Sequence, residues 1–278
     1  MKRLTLWLGA ALVAIVVLAA LVSLFWTPFD PTQVRPSERL LPPGWPHVLG
    51  TDGFGIDMAS RLMAGARICL LVGIIAVAIA AVIGVPLGVF AGMSKNWVSS
   101  LVLRATDILY AFPALLLAIL LAATFGGSTW TAMTAIGIAS IPAFTRMARA
   151  ATLQVMASEY VLAARSSGTG RLGIALRHVA PNIAPVIGVQ ASVSFGIAIL
   201  AEAALSYLGL GTPPQTPTWG RMLKDAQAYV FSGDPLVAVL PGLAIAGAVL
   251  GFNLLGDGLR DLLDPRLRES TVRAEQGR

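Results

Sequence analysis

The feature that most constrains this 278-residue chain is a stretch at 108–145, 38 residues long, without a single charged side chain. An apolar helix of about 20 residues crosses the roughly 30 Å of hydrocarbon in a bilayer. The stretch is therefore too long for one ordinary crossing. Gly126, Gly127 and Ser128 form a turn signal near its middle and divide it into helices at 108–125 and 129–145. Further uncharged runs lie at 4–25, 68–94, 183–201 and 235–256. The pattern predicts an all-α integral membrane protein with six transmembrane helices, at 4–25, 68–93, 108–125, 129–145, 183–201 and 236–256. The first run follows Met1, Lys2 and Arg3, as a signal peptide would. Its 22 residues exceed the typical signal core of about 7–15, and no clear A-x-A site follows, so it reads as a retained helix.

Composition agrees with this reading. The chain is 56% hydrophobic and 12% charged, with mean hydropathy +0.77, whereas soluble domains are about 25% charged. The net charge of +6 comes from basic residues set between apolar runs, which points to topology rather than nucleic acid. With the N-terminus inside, 14 of the 20 Lys and Arg fall on inner segments and 6 on outer ones, so both termini are expected in the cytoplasm. The expected divisions are 1–67 (first helix and outer loop), 68–256 (transmembrane core) and 257–278 (a cytoplasmic tail). Within the core, an inner loop at 146–182 carries five arginines against one acid, Glu159. An outer loop at 202–235 holds a helix expected to start at Thr218, a usable N-cap, and to run toward Tyr229. In the first outer loop, helix is expected from Asp57 onward, with Asp52 and Asp57 as helix-start acids.

The predicted spans contain no Asp, Glu, Lys, Arg or His. That argues against a gradient-driven carrier or an intramembrane protease, both of which need ionisable groups at depth. Neutral polar residues remain as candidate pore lining: Gln190 and Ser194, one turn apart, and Asn253. Interhelical hydrogen bonding is the alternative role for them. No Gly-Lys-Ser/Thr phosphate loop is present, because none of Lys2, Lys95 and Lys224 follows a glycine. Energy for active transport would have to come from another polypeptide, and 146–182 is the only inner segment between spans large enough to receive it. The lone cysteine, Cys69, excludes an internal disulfide and a metal–thiolate cluster, and reads as a small buried hydrophobe. Ala80, Gly84, Gly88 and Gly92 recur every four residues, and Gly247 and Gly251 repeat the device. Such stripes let a helix approach closely, either within this chain or from another. Pro86 and Pro241 are expected to bend their helices. Gly256 and Gly258 are expected to end the last one, and Pro181 to close the inner loop.

The inner loop reads Glu159-Tyr160-Val161-Leu162-Ala163-Ala164-Arg165-Ser166-Ser167-Gly168, followed by Arg177-His178-Val179-Ala180-Pro181-Asn182. It resembles the EAA loop of bacterial ABC importer permeases. Further blocks make the resemblance specific to the C-type permeases of dipeptide, oligopeptide and nickel importers: 47–52 (HVLGTD) with 60–67, 107–113 (DILYAFP), 205–211 (LSYLGLG) with 217–223, and 252–266, which contains FNLLGDGLRD. The likeness runs from the first helix to about Arg268. The chain departs from the family at Leu162, where a Glu is usual, and at Ala180, where a Leu is usual.

The resemblance implies a type I ABC importer permease fold in the bacterial cell membrane and a transport subunit rather than an enzyme, with no catalytic or metal-binding residues. ATP and Mg would sit on two partner ATPase subunits. Further partners would be a homologous B-type permease, an extracytoplasmic peptide-binding protein and the lipid bilayer. Contact with the ATPase would fall to Glu159, Tyr160, Ala163, Ala164, Arg165, Gly168 and Arg171. Trp219, Arg221 and Met222 would form an outer gate, a binding-protein contact or an interfacial anchor. Dipeptides or oligopeptides are the expected cargo, with nickel chelates or glutathione as the alternative within the family. A stand-alone channel or carrier is the alternative from another class.

Overall fold

The helix starts follow local chemistry. Asp57 caps the second helix, its carboxylate accepting from the Ser60 N–H at 2.8 Å. Ser128 caps the fifth by accepting from Thr131 N–H at 3.1 Å. Thr218 Oγ1 accepts from Arg221 N–H at 3.2 Å at the start of the ninth. The computed structural model describes residues 2–213, 215–230 and 234–263. Its α-helices in chain order are α1 Lys2–Phe25, α2 Met58–Met93, α3 Asn96–Tyr110, α4 Ala114–Phe125, α5 Thr129–Met156, α6 Glu159–Ser166, α7 Arg171–Ile174, α8 Ala180–Leu208, α9 Trp219–Val230 and α10 Leu236–Leu263.

Four helices are long and apolar enough to cross a membrane: Leu4–Phe25, Met58–Met93, Arg171–Leu208 and Leu236–Leu262. A fifth candidate is the pair α3 and α4, bent by 74°. The expected straight helix at 108–125 is thus corrected. Pro113 lacks an N–H and disfavours helix in the residue before it, so the chain turns and restarts at Ala114. α5 has spanning length at 28 residues but lower apolarity, because threonines and a serine punctuate it. Three of these hydroxyls bond back to their own helix: Thr134 to Trp130 O at 2.9 Å, Ser140 to Ile136 O at 2.8 Å and Thr145 to Ile141 O at 3.0 Å.

α5 packs along α2, and the glycine stripe is what lets it. A Cβ on Gly84 would lie 2.7 Å from Phe144 Cβ, one on Gly88 would lie 2.6 Å from Ala148 Cβ, and one on Gly92 would lie 2.7 Å from Thr152. Gly137 answers from α5, where a Cβ would come within 2.9 Å of Ile79. The stripe is therefore spent inside this chain. Gly251 does the same between α10 and α1, against Leu12 at 2.8 Å, whereas Gly247 faces open space.

Three further expectations are corrected. α10 does not stop at Gly256 and Gly258. It continues to Leu263, and Gly258 gives the close approach to Leu6 of α1. The tail from 264 onward lies outside the described residues. Nor does Pro181 break the chain. A π turn at Ala175–Val179 shifts the hydrogen-bond ladder, with Ala180 N–H donating to Ala175 O, and α7, the π turn and α8 run on as one helix. Finally, α8 continues past 201 to Leu208 before ending at Gly209, which is left-handed at φ +81°. This brings Glu202 inside a span as a buried carboxylate that accepts from Ser206 Oγ at 2.6 Å. The charge-free expectation fails there.

The end of the molecule that holds Glu202 is tied by buried ions. Arg61 of α2 pairs with Asp52 and, at 3.0 Å, with Asp225 of α9, which also pairs with Arg221 at 3.2 Å. His47 meets Asp57 at 2.9 Å. Trp219 is 4% exposed, donates from Nε1 to Leu62 O at 2.9 Å and fills the notch at Gly65. Cys69 lies one turn further along α2, in the same core.

Gly88→Ala should lower the thermal unfolding temperature in detergent, by an overpacking cost of about 1–3 kcal/mol. Gly247→Ala, made in open space, should leave it unchanged or slightly raised. Trp219→Ala should make Cys69, inert in the native chain, reactive toward a small neutral thiol reagent, scored by mass.

Candidate functional site

The segment between α5 and α8 is a short helix on a hook. α5 ends at Met156, and Ala157 N–H returns to Leu153 O at 3.2 Å. Ser158 turns the chain, and its carbonyl accepts from Val161 and Leu162 N–H, both at 3.2 Å. α6 then runs for eight residues, with Glu159 in its first turn and Arg165 in its last, the favourable order for the helix dipole.

Its far end closes on Gly168. Gly168 N–H donates to Arg165 O and Thr169 N–H to Ala164 O, each at 3.0 Å, and Gly168 sits at φ +83°. This paired return around a left-handed residue satisfies the last carbonyls of the helix and favours glycine at that position.

One side chain fixes α6 to the body. Val161 is fully buried among Ala148 and Ala151 of α5, Ile174 of α7, Val179 of the π turn and Ile183 of α8. α6 therefore touches both long helices that flank it. The rest of α6 faces outward. Tyr160 and Leu162 are about half exposed (47% and 51%), Glu159, Ala163, Arg165 and Gly168 are exposed, and Ala164 is half-buried. The Tyr160 ring lies 6.0 Å from His178. Arg171, also exposed, opens α7. Among the described residues, none of Glu159, Arg165 and Arg171 forms a salt bridge. A recess of about 460 Å³ lies beside the hook, lined by Ser167 to Gly170, Gly173 and Arg177.

The seven loop residues singled out from sequence are thus brought together at one end of the molecule. Val161 was not among them, although it is the anchor. The available signal was an apolar residue standing one position before Leu162 in a loop rich in arginine.

The neutral polar residues lie along α8 and α10. Gln190 Nε2 donates to Ser194 Oγ at 3.1 Å, and Ser194 is buried. Asn253 Oδ1 would lie 3.4 Å from a Cβ on Gly196, so the two helices are close there. Asn253 also borders a recess of about 740 Å³ between α8, α9 and α10, otherwise lined by residues such as Ala204, Tyr207, Gly242 and Ala246. At the outer segment, Trp219 and Met222 are packed inside the chain and staple α9 to α2. Of the three expected gate or contact residues only Arg221 keeps exposed surface, so the pair Trp219 and Met222 is corrected to an internal role.

Comparison with known proteins bears on this arrangement. Residues 84–269 match the family described as "Binding-protein-dependent transport system inner membrane component". The chain is 40% identical over 261 residues to the dipeptide transport system permease protein DppC of Alkalihalophilus pseudofirmus, covering 94% of this chain and 85% of that one. It is 42% identical over 269 residues to the di/tripeptide transport system permease protein DppC of Pseudomonas aeruginosa, covering 94% and 88%. It is 41% identical over 257 residues to the glutathione transport system permease protein GsiD of Pectobacterium atrosepticum, covering 91% and 85%. The fold is that of a chain of the inward-facing MetNI methionine ABC transporter, with TM-score 0.62 and 18% identity over 74% of this chain and 98% of that one. The apolar helices, the type I importer permease fold and the extent of these matches agree: the chain belongs to the inner-membrane permease components of binding-protein-dependent transport systems.

Proposed function

We propose that this chain is the C-type permease subunit of an ATP-driven peptide importer, forming half of the translocation path and receiving the stroke of a separate ATPase through α6. The observation that carries the reading is the exposed α6 hook, whose one fully buried side chain, Val161, packs in a core shared with α5 and the continuous α7–α8 helix. A rigid short helix with a free outer face and an anchor to two spans can convert a push from outside into movement of both.

The exposed face suits such a contact. Ala163 has little bulk, so a partner groove can close on the helix; Tyr160 offers apolar surface, as does Leu162, where the family usually has a glutamate. ATP and Mg belong on the two partner ATPase subunits. The second half of the path is a homologous B-type permease, and an extracytoplasmic binding protein delivers the cargo. The α8–α10 seam with Gln190, Ser194 and Asn253 is this chain's contribution to the path, and the neutral recess beside Asn253 fits cargo that is handed on rather than held. Peptides are the favoured cargo because the similar permeases from A. pseudofirmus and P. aeruginosa carry names of peptide systems, and glutathione, named for the P. atrosepticum permease, is itself a tripeptide. A stand-alone channel would instead conduct when this chain is reconstituted by itself.

In proteoliposomes holding the whole transporter, Gly168→Leu should abolish ATP-dependent peptide uptake while the chain inserts normally. Uptake at the native level would remove α6 from the coupling path. Val161→Ala, which removes about 1.5 kcal/mol of buried apolar anchoring, should leave ATP hydrolysis largely intact and reduce peptide moved per ATP. An unchanged ratio would show that the anchor carries no stroke.

A further inference from the structure

We propose that the groove between the end of α2 and the α7–π segment binds one anionic phospholipid, with an acyl chain along the groove and the phosphate on Arg171. The groove measures about 480 Å³ and is walled by Val85, Val89, Phe90 and Met93 on one side and by Leu172 and Leu176 on the other. Its lips are exposed apolar side chains, with Leu172 at 73% and Leu176 at 63%. Ser94 and Arg171 supply the only polar side chains of its lining. An extended protein segment laid there would leave its backbone N–H and C=O groups unpaired, whereas an acyl chain has none to pair.

The charge lies at one end of the groove. Arg171 is exposed and, among the described residues, has no carboxylate partner; the same holds for Lys95, the residue after Ser94. At the opposite end of the molecule Arg35, Arg61 and Arg221 each carry one. A long apolar trough ending in an unpaired cation complements an amphiphile with an anionic head, and basic grooves between spans at a membrane surface take such lipids. The α7–π wall also packs against Val161 through Ile174 and Val179, so a seated lipid would brace the part of the body to which α6 is anchored. The inference requires that the chain span a bilayer and is independent of the nature of the cargo.

The test is native mass spectrometry of the full-length chain in mild detergent, offered phosphatidylglycerol or phosphatidylcholine. The native chain should retain phosphatidylglycerol in preference. Arg171→Ala should weaken that retention about fivefold, the effect expected of one basic residue near a membrane surface. Arg171→Lys should keep it. Ala175→Trp, which fills the trough, should lower retention of both lipids, with thermal unfolding in the same detergent confirming that each variant is folded. Equal retention of the two lipids by the native chain, or undiminished phosphatidylglycerol on Arg171→Ala, would overturn the proposal. So would a photoreactive side chain at position 175 that, in the assembled transporter, cross-links to a partner polypeptide instead of to lipid.

Discussion

The rest of the molecule depends on the close approach of α2 and α5. In lipid no hydrophobic force distinguishes a neighbouring helix from an acyl chain, so helices associate by van der Waals contact and polar bonds at short range. The row Ala80, Gly84, Gly88 and Gly92 removes side-chain bulk along the C-terminal half of α2, and Ile141, Phe144, Thr145, Ala148 and Thr152 of α5 fill the space. This makes it possible to enclose α5, which is less apolar than the other long helices and turns the hydroxyls of Thr134, Ser140 and Thr145 onto its own carbonyls. Since α5 leads directly into α6, the α6 hook is mounted on this close-packed pair.

The same helix α2 organises the far end. Arg61 stands between Asp52 of the outer segment and Asp225 of α9, all of them buried or nearly so. Buried ion pairs contribute little net stability against an apolar alternative, but removing one partner leaves an uncompensated charge. Their use here is positional: Arg61 and the Trp219 bond to Leu62 hold α9 across α2 and α8. At 36 residues, or about 54 Å of helix, α2 carries the outer assembly at one end and the α5 contact at the other.

Much of this was legible in the sequence wherever the cause is local. The caps at Asp57 and Thr218, the left-handed end of α6 at Gly168 and the glycine stripe all follow from side-chain size and hydrogen-bonding capacity over a few residues. What was not legible depends on neighbours distant in sequence. Glu202 was assigned to a loop because it follows an apolar run, but Ser206 of the next turn gives its carboxylate a partner and the helix continues. Gly256 and Gly258 look like a helix terminus, yet the helix continues, with Leu6 of α1 close enough to Gly258 to require glycine and Ser192 of α8 packed closely on Gly256. Pro181 looks like a stop, and a π turn absorbs it. Trp219 looks like a surface aromatic, and Gly65 makes a notch for it. In the α6 segment the arginine-rich surroundings mark an exposed stretch, while the burial of Val161 depends on α5, α7 and α8, which lie apart from it in sequence.

In the function proposed above, α6 is the point where a separate ATPase engages this chain. Because Cys69 is the only cysteine, a Cys69→Ser background allows a single thiol to be placed at Ala163, on the exposed face of α6. The direct measurement is disulfide trapping of Ala163→Cys in the assembled transporter against cysteines introduced along the ATPase groove. A coupling role for α6 predicts a reductant-reversible adduct with the ATPase that stops peptide uptake while present. Failure to trap any ATPase position, with uptake proceeding normally, would contradict it.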